Sequence, residues 1–174
     1  SEPLMKILTH KMIYFRQLSE ENKMKFMRRL SIFMMCKDIE SLSEDTVPAD
    51  IRGLVSAAAV QLTFGKERYL LPNFKKIMIY PSAFRSVQDR ELHGSETFLD
   101  TEQKHHSCLV FSADRLMIGV SNSIQGYNIA LHEMATAYKI ENDIKNENIP
   151  YLNHPAIKND FAEIRGANYE MLRA

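Results

Sequence analysis

The sequence predicts an α+β domain that is mostly helical and contains a small sheet. Apolar residues recur at helical spacing over most of the chain, and this pattern predicts helices. Two short apolar runs, residues 77–80 and 107–111, are instead typical of buried strands. With 174 residues, 45% of them hydrophobic, the chain is long enough for a sizeable core. It shows no internal repeat or boundary, so we predict a single domain over residues 1–174.

Three helices are predicted before the first strand. Residues 3–17 and 20–38 show helical spacing, and Ser19 is a suitable N-cap for the second of these segments. After a polar loop over residues 41–50, the third helix covers residues 48–64, because proline stands near its start and Gly65 follows its end. The stripe of the second helix that we expect to face the core consists of Met24, Met27, Leu30, Phe33, Met34 and Ile39.

The remaining connections are more polar. Residues 86–106, between the two predicted strands, are compatible with an edge strand or with a mobile loop. Residues 112–118 are predicted to form a helical turn, and residues 121–126 a loop. Residues 155–174 have the apolar spacing of a last amphipathic helix.

Charge and cysteine content exclude several classes of function. Acidic and basic side chains balance at 22 each, so no net field favours nucleic acid or an anionic membrane. No apolar run approaches the roughly 18 residues that a membrane helix requires. Cys36 and Cys108 are interpreted as small buried hydrophobic residues rather than a disulfide or a thiolate metal site. We therefore predict a cytoplasmic protein that binds neither nucleic acid nor membrane.

The segment from Gly126 to Lys145 is predicted to be the central helix. Asn128 is a suitable N-cap, and the interior of the segment has neither glycine nor proline. His132 and Glu133 are adjacent within it, and Thr136 stands four residues after the histidine, where a helix returns to the same face.

These three residues match most of the zinc signature H-E-x-x-H. In that signature, two imidazoles one turn apart bind zinc and the glutamate accepts a proton from the metal-bound water. Thr136 offers a hydroxyl where the second imidazole would be, and a neutral hydroxyl is a poor zinc ligand. Structural interpretations are also open: His132 held by a hydrogen bond in the core, Glu133 facing a cavity, and Thr136 bonded back to the carbonyl of His132. The remaining candidates for a substitute ligand are His93, His105, His106 and His154.

From about Leu18 onward, the chain resembles the Mlc titration factor A family of zinc peptidases. The resemblance rests on the order and spacing of several segments. These are SAAAVQLTFG (56–65), FKKIMIYPSAF (74–84), HGSE (93–96), CLVFSADRLMIG (108–119) and GYNIALHEMATAY (126–138). The family is similar to gluzincins, so the resemblance implies a small sheet packed over a zincin-like active-site helix, with a sheet edge that pairs with an extended peptide substrate.

Carried over to this chain, the resemblance makes His132 a zinc ligand and Glu133 the general base. It also implies a substrate-pairing edge strand formed by Cys108, Leu109, Val110, Phe111 and Ser112. Two departures stand out: Thr136 replaces the second histidine, and the third ligand of the family, a glutamate further along, would lie beyond Ala174. The chain is therefore a fragment that lacks the C-terminal part of the family, a variant, or a member that has lost the metal.

Two functions follow from the resemblance. The first is zinc-dependent peptide hydrolysis, weak or absent in this chain because of Thr136, which would make it a pseudoenzyme with a weak or empty zinc site. The alternative is a non-catalytic binding module that engages a protein partner, such as the transcriptional repressor recorded in the family name. The expected partners are thus a peptide substrate or a regulatory protein.

Overall fold

The computed structural model describes residues 2–42, 46–85, 92–98, 107–121 and 128–144. Their architecture is α+β and mainly helical, which confirms the predicted fold class. Two compact units are formed, Ser1–Tyr138 and Lys139–Ala174. Within the second unit only the end of one helix is described, so the prediction of a single domain over 1–174 stays a prediction. The predicted helix at 155–174 and most of the loop at 121–126 lie outside the described residues.

Six helices and six strands are present in the described residues. The helices are α1 (Glu2–Lys11), α2 (Ile13–Gln17), α3 (Glu20–Cys36), α4 (Ala49–Thr63), α5 (Ala113–Ser121) and α6 (Ile129–Ile144). The strands are β1 (Asp38–Ser41), β2 (Lys76–Tyr80), β3 (Phe84–Arg85), β4 (Leu92–His93), β5 (Ser95–Phe98) and β6 (Cys108–Ser112). None of these helices has the length and apolar character needed to cross a bilayer.

Local signals account for most helix boundaries. The predicted helix over residues 3–17 is two helices, because Met12 adopts an extended conformation between α1 and α2. Ser19 caps α3 as predicted, and its hydroxyl accepts from the amide of Asn22 at 3.3 Å. Helix α4 begins directly after Pro48, also as predicted. The helical turn predicted at 112–118 is a longer helix, α5.

The predicted core stripe of α3 is partly wrong. Met24 is 65% exposed, whereas Phe26, which the prediction omitted, is fully buried. The ring of Phe26 packs against those of Phe15 and Phe64, with centroid distances of 5.3 and 5.8 Å. Burying this ring removes more apolar area from water than burying a methionine, so the helix turns its aromatic side inward. The prediction that Cys36 is buried is also wrong, because Cys36 lies on the exposed side of α3.

Helix α4 is the most buried helix of the core. Ser56, Ala57, Ala58 and Ala59 are all buried, as expected for small residues that allow close approach. A Cβ atom at Gly53 would clash with Cδ1 of Leu4, so α1 approaches α4 closely at this point.

The main sheet has the order β1-β2-β6-β5. Strands β1, β2 and β6 are parallel, and β5 is antiparallel to β6. Both strands predicted from apolar runs are confirmed as β2 and β6. The register aligns the buried side chains of Ile77 with Leu109 and of Ile79 with Phe111, and these form the apolar face of the sheet.

The interpretation of β6 as a sheet edge is wrong. Strand β6 (Cys108, Leu109, Val110, Phe111, Ser112) pairs with β2 on one side and with β5 on the other. A strand paired on both sides has no backbone groups left for an added peptide. Among the described residues the edge strands are β1 and β5, and β5 lies in the polar stretch for which an edge strand or a loop was predicted.

Candidate active site

Helix α6 carries the predicted site, and its orientation follows from its apolar spacing. The side chain of Asn128 accepts from the amide of Leu131 at 3.1 Å, which confirms the predicted N-cap. Ala130, Met134 and Ala137 are fully buried, and their spacing places them on one face of the helix. Glu133 lies on this same face, so its carboxylate enters the protein interior.

The carboxylate of Glu133 is only 7% exposed and is held by two hydroxyl groups. Ser95 Oγ donates to Oε1 at 2.9 Å, and Thr97 Oγ1 donates to Oε2. Successive side chains alternate across a strand, so two residues separated by one position share a face. Both hydroxyls therefore project from β5 onto α6, where each satisfies one oxygen of the buried carboxylate.

His132 and Thr136 lie on a more open side of α6. The imidazole of His132 is exposed, and Thr136 is half-buried. The hydroxyl of Thr136 donates to the backbone carbonyl of His132 at 3.2 Å, which confirms the structural interpretation of this threonine. This hydrogen bond is a common way for a helical threonine to satisfy its own hydroxyl without a ligand.

The donor chemistry of the described site residues does not fit a zinc ion. His132 supplies one imidazole, Thr136 donates its proton to the helix backbone, and both oxygens of Glu133 accept from hydroxyls. In the ranges that the structure describes, no three histidine, cysteine or acidic side chains are grouped as a metal site requires.

The residues predicted to bind substrate along β6 divide between two faces. Leu109 and Phe111 lie in register with Thr97 and Ser95 and therefore on the side of Glu133. Cys108, Val110 and Ser112 alternate with them and lie on the opposite face of the sheet. Since the strand offers no free backbone edge, the assignment of these five residues to substrate binding stays a prediction without support from strand pairing.

Cys108 does not have the surroundings of a reactive thiol. Burial raises the pKa of its thiol, while the nearby charge of Lys76 lowers this pKa and that of Glu96 raises it. Because burial is the largest effect, the protonated and unreactive form predominates at neutral pH.

Sequence reasoning did not identify Ser95 and Thr97 as site residues. The feature of the sequence that could have identified them is the Ser-x-Thr spacing, which puts two hydroxyls on one face of a strand. The local sequence holds no information about which carboxylate they meet, because Glu133 is 38 and 36 residues away.

The fold and the site together define a class of α+β proteins in which a helix with adjacent histidine and glutamate lies against the edge strand of a small mixed sheet. A family model described as glucose-regulated metallo-peptidase M90 matches residues 1–174, and the chain therefore belongs to this metallopeptidase family. The family resemblance predicted from the sequence is confirmed. A search of curated proteins finds no match to the chain.

Proposed function

We propose that this chain is a member of the zinc metallopeptidase family whose own peptidase activity is weak or absent. The observation that supports this proposal most directly is the hydrogen bond from Thr136 to the carbonyl of His132. The side chain at the position of the second zinc histidine is thereby committed to the helix backbone. A neutral hydroxyl in this hydrogen bond is a much weaker zinc ligand than an imidazole.

The size of the expected loss in zinc affinity supports the same proposal. Changing a residue that only orients a zinc ligand costs about 10- to 100-fold in metal affinity or activity. Replacing a ligand itself removes a direct bond to the metal and costs more. The geometry at Glu133 points the same way, because each oxygen of its carboxylate already accepts a hydrogen bond from a hydroxyl group.

A measurement of zinc affinity in the wild-type chain and in Thr136→His, the variant carrying the family's downstream segment as a source of the third ligand, tests this proposal. We expect substoichiometric zinc in the wild type after equilibration with the metal and dialysis, and a rise in affinity of more than roughly 10- to 100-fold in the variant, since an imidazole is restored. Thr136→Val is the matched control, because it removes the hydroxyl without adding a ligand, and it should behave as the wild type does.

Peptide hydrolysis completes the test. Tight binding of one zinc per wild-type chain, together with hydrolysis that Glu133→Ala abolishes, would overturn the proposal. The first result would show that a zinc site exists without a second histidine, and the second that Glu133 acts as the base.

Strand β5, an edge strand among the described residues, favours a second function, namely binding of an extended segment of a partner protein. The amide of Ser112 donates to the carbonyl of Gly94, so by the alternation of an antiparallel ladder the backbone groups of Ser95 and Thr97 point away from β6. Such groups can pair with an added strand. The partner that the family name suggests is a transcriptional repressor in the cytoplasm. Binding of that partner would be unaffected by chelators, whereas hydrolysis by a zinc enzyme would be lost.

A further inference from the structure

We propose that Glu133 serves in this chain as the anchor that holds strand β5 on helix α6, with Ser95 and Thr97 as its positioning residues. The inference rests on the proposed function, because it assigns to Glu133 a structural role in place of catalysis. It concerns the three side chains that meet at β5, an edge strand of the sheet among the described residues.

The sheet itself shows why β5 needs an anchor. On the face that packs toward the helices, β2 and β6 present Ile77, Ile79, Leu109 and Phe111, all of which are buried. On the same face of the sheet, the side chains of β5 are the hydroxyl groups of Ser95, which is opposite Phe111, and of Thr97, which is opposite Leu109. A short strand with polar inward side chains gains little from apolar burial. Its attachment therefore depends on hydrogen bonds.

The carboxylate of Glu133 is suited to supply these hydrogen bonds. A buried carboxylate without donors is strongly unfavourable, so each hydroxyl that reaches it is held firmly. The two donors come from one strand and the acceptor from one helix, and each oxygen of the carboxylate has its own donor. Moving β5 away from α6 would break both hydrogen bonds at once. The strand and the helix are thus coupled through a single side chain.

Backbone amide exchange under native conditions tests the anchor. Thr97→Val keeps the shape of the side chain and removes its hydroxyl, whereas Thr97→Ser keeps the hydroxyl. We expect the β5 amides that face β6, including that of Glu96, to exchange on the order of tenfold faster in Thr97→Val, and at the wild-type rate in Thr97→Ser. Amides of α4, distant from the anchor in the chain, should be unchanged in both variants.

Ser56→Ala is the matched control for loss of a buried hydroxyl. Ser56 is fully buried on α4, and its hydroxyl has no hydrogen-bond partner among the described residues. Its replacement should leave β5 exchange at the wild-type rate. A variant without the acceptor, Glu133→Leu, should abolish the difference between Thr97→Val and Thr97→Ser, because neither side chain then has a carboxylate to meet.

Two results would overturn the inference. One is β5 exchange in Thr97→Val that equals the wild type, and the other is faster exchange in Thr97→Ser to the same extent as in Thr97→Val. Failure of the proposed function is a separate observation, namely tight zinc binding and peptide hydrolysis by the wild-type chain. Exchange rates do not depend on that measurement, so the two failures are distinguishable.

Discussion

The side chains of Thr136 and Glu133 both form hydrogen bonds, but with different kinds of partner. Thr136 donates to a carbonyl of its own helix, one turn back. Glu133 accepts from a strand that precedes it by more than thirty residues. The first hydrogen bond joins neighbours within one helical turn, whereas the second joins residues that only the folded chain brings together. At the residue scale, Glu133 and Thr136, which stand at positions of the zinc signature, therefore both form ordinary hydrogen bonds.

The two cysteines offer a prediction at the same scale. Cys36 is exposed at the end of α3, and burial raises the pKa of the half-buried Cys108. A raised pKa means less thiolate at a given pH, so Cys108 should react with iodoacetamide more slowly than Cys36 at neutral pH. Mass spectrometry of the labelled cysteines measures the two rates.

Increasing pH should accelerate the labelling of Cys108 only above the range in which an ordinary thiol ionises. Cys36→Ser isolates the signal of Cys108, and Cys108→Ser isolates that of Cys36. Equal labelling rates at neutral pH would contradict the assignment of Cys108 to a desolvated position.

At the scale of elements, the packing of α1 on α4 depends on the absence of a side chain. Gly53 lies on α4 where Leu4 of α1 is closest, and a Cβ atom there would overlap the leucine. Helix interiors ordinarily disfavour glycine, by about 1 kcal/mol relative to alanine. The close approach of the two helices accounts for its presence in this one.

Gly53→Val should therefore destabilise the fold. Forcing a branched side chain between α1 and α4 displaces Leu4, and overpacking of this kind costs about 1–3 kcal/mol in the free energy of unfolding. Gly65→Ala is the control, because a Cβ atom at Gly65 meets no neighbouring atom and the change should be neutral or slightly stabilising. Chemical denaturation measures both variants. A Gly53→Val protein as stable as the wild type would show that α1 shifts without cost.

At the scale of the whole molecule, the core of the described residues is held by apolar packing. The apolar face of the sheet and the buried faces of α3 and α4 consist of ordinary hydrocarbon packing, and the described site residues satisfy one another by hydrogen bonds. A ligand that binds only the folded state raises stability in proportion to its affinity. If the proposed function holds, this chain lacks a competent zinc site and should gain no stability from zinc.

The thermal midpoint of the wild-type chain should therefore be the same in zinc and in EDTA. Binding at 100 times the dissociation constant would add about 2.7 kcal/mol and raise the midpoint by several degrees. Thr136→His with the family's downstream segment appended serves as the positive control, since with three ligands it should show such a zinc-dependent rise. Differential scanning calorimetry gives the comparison, and a zinc-dependent rise in the wild type would contradict the proposed function.

Much of the fold could be predicted because its signals are local. The caps at Ser19 and Asn128, the start of α4 after Pro48, and the apolar runs of β2 and β6 depend on residues only a few positions apart. Rotation of α3 could not be predicted in the same way. Met24 and Phe26 both lie on plausible apolar stripes, and contacts with Phe15 and Phe64 decide between them.

The sequence by itself determined the helix of the site, the adjacent His132 and Glu133, and the hydrogen bond that Thr136 makes to its own backbone. Each of these depends on neighbours within one helical turn. Only the tertiary structure decided that β5 and not β6 is an edge strand of the described sheet, and that Ser95 and Thr97 meet Glu133. Pairing partners and registers join residues far apart in the chain, and they depend on how the elements pack together, which local periodicity does not specify.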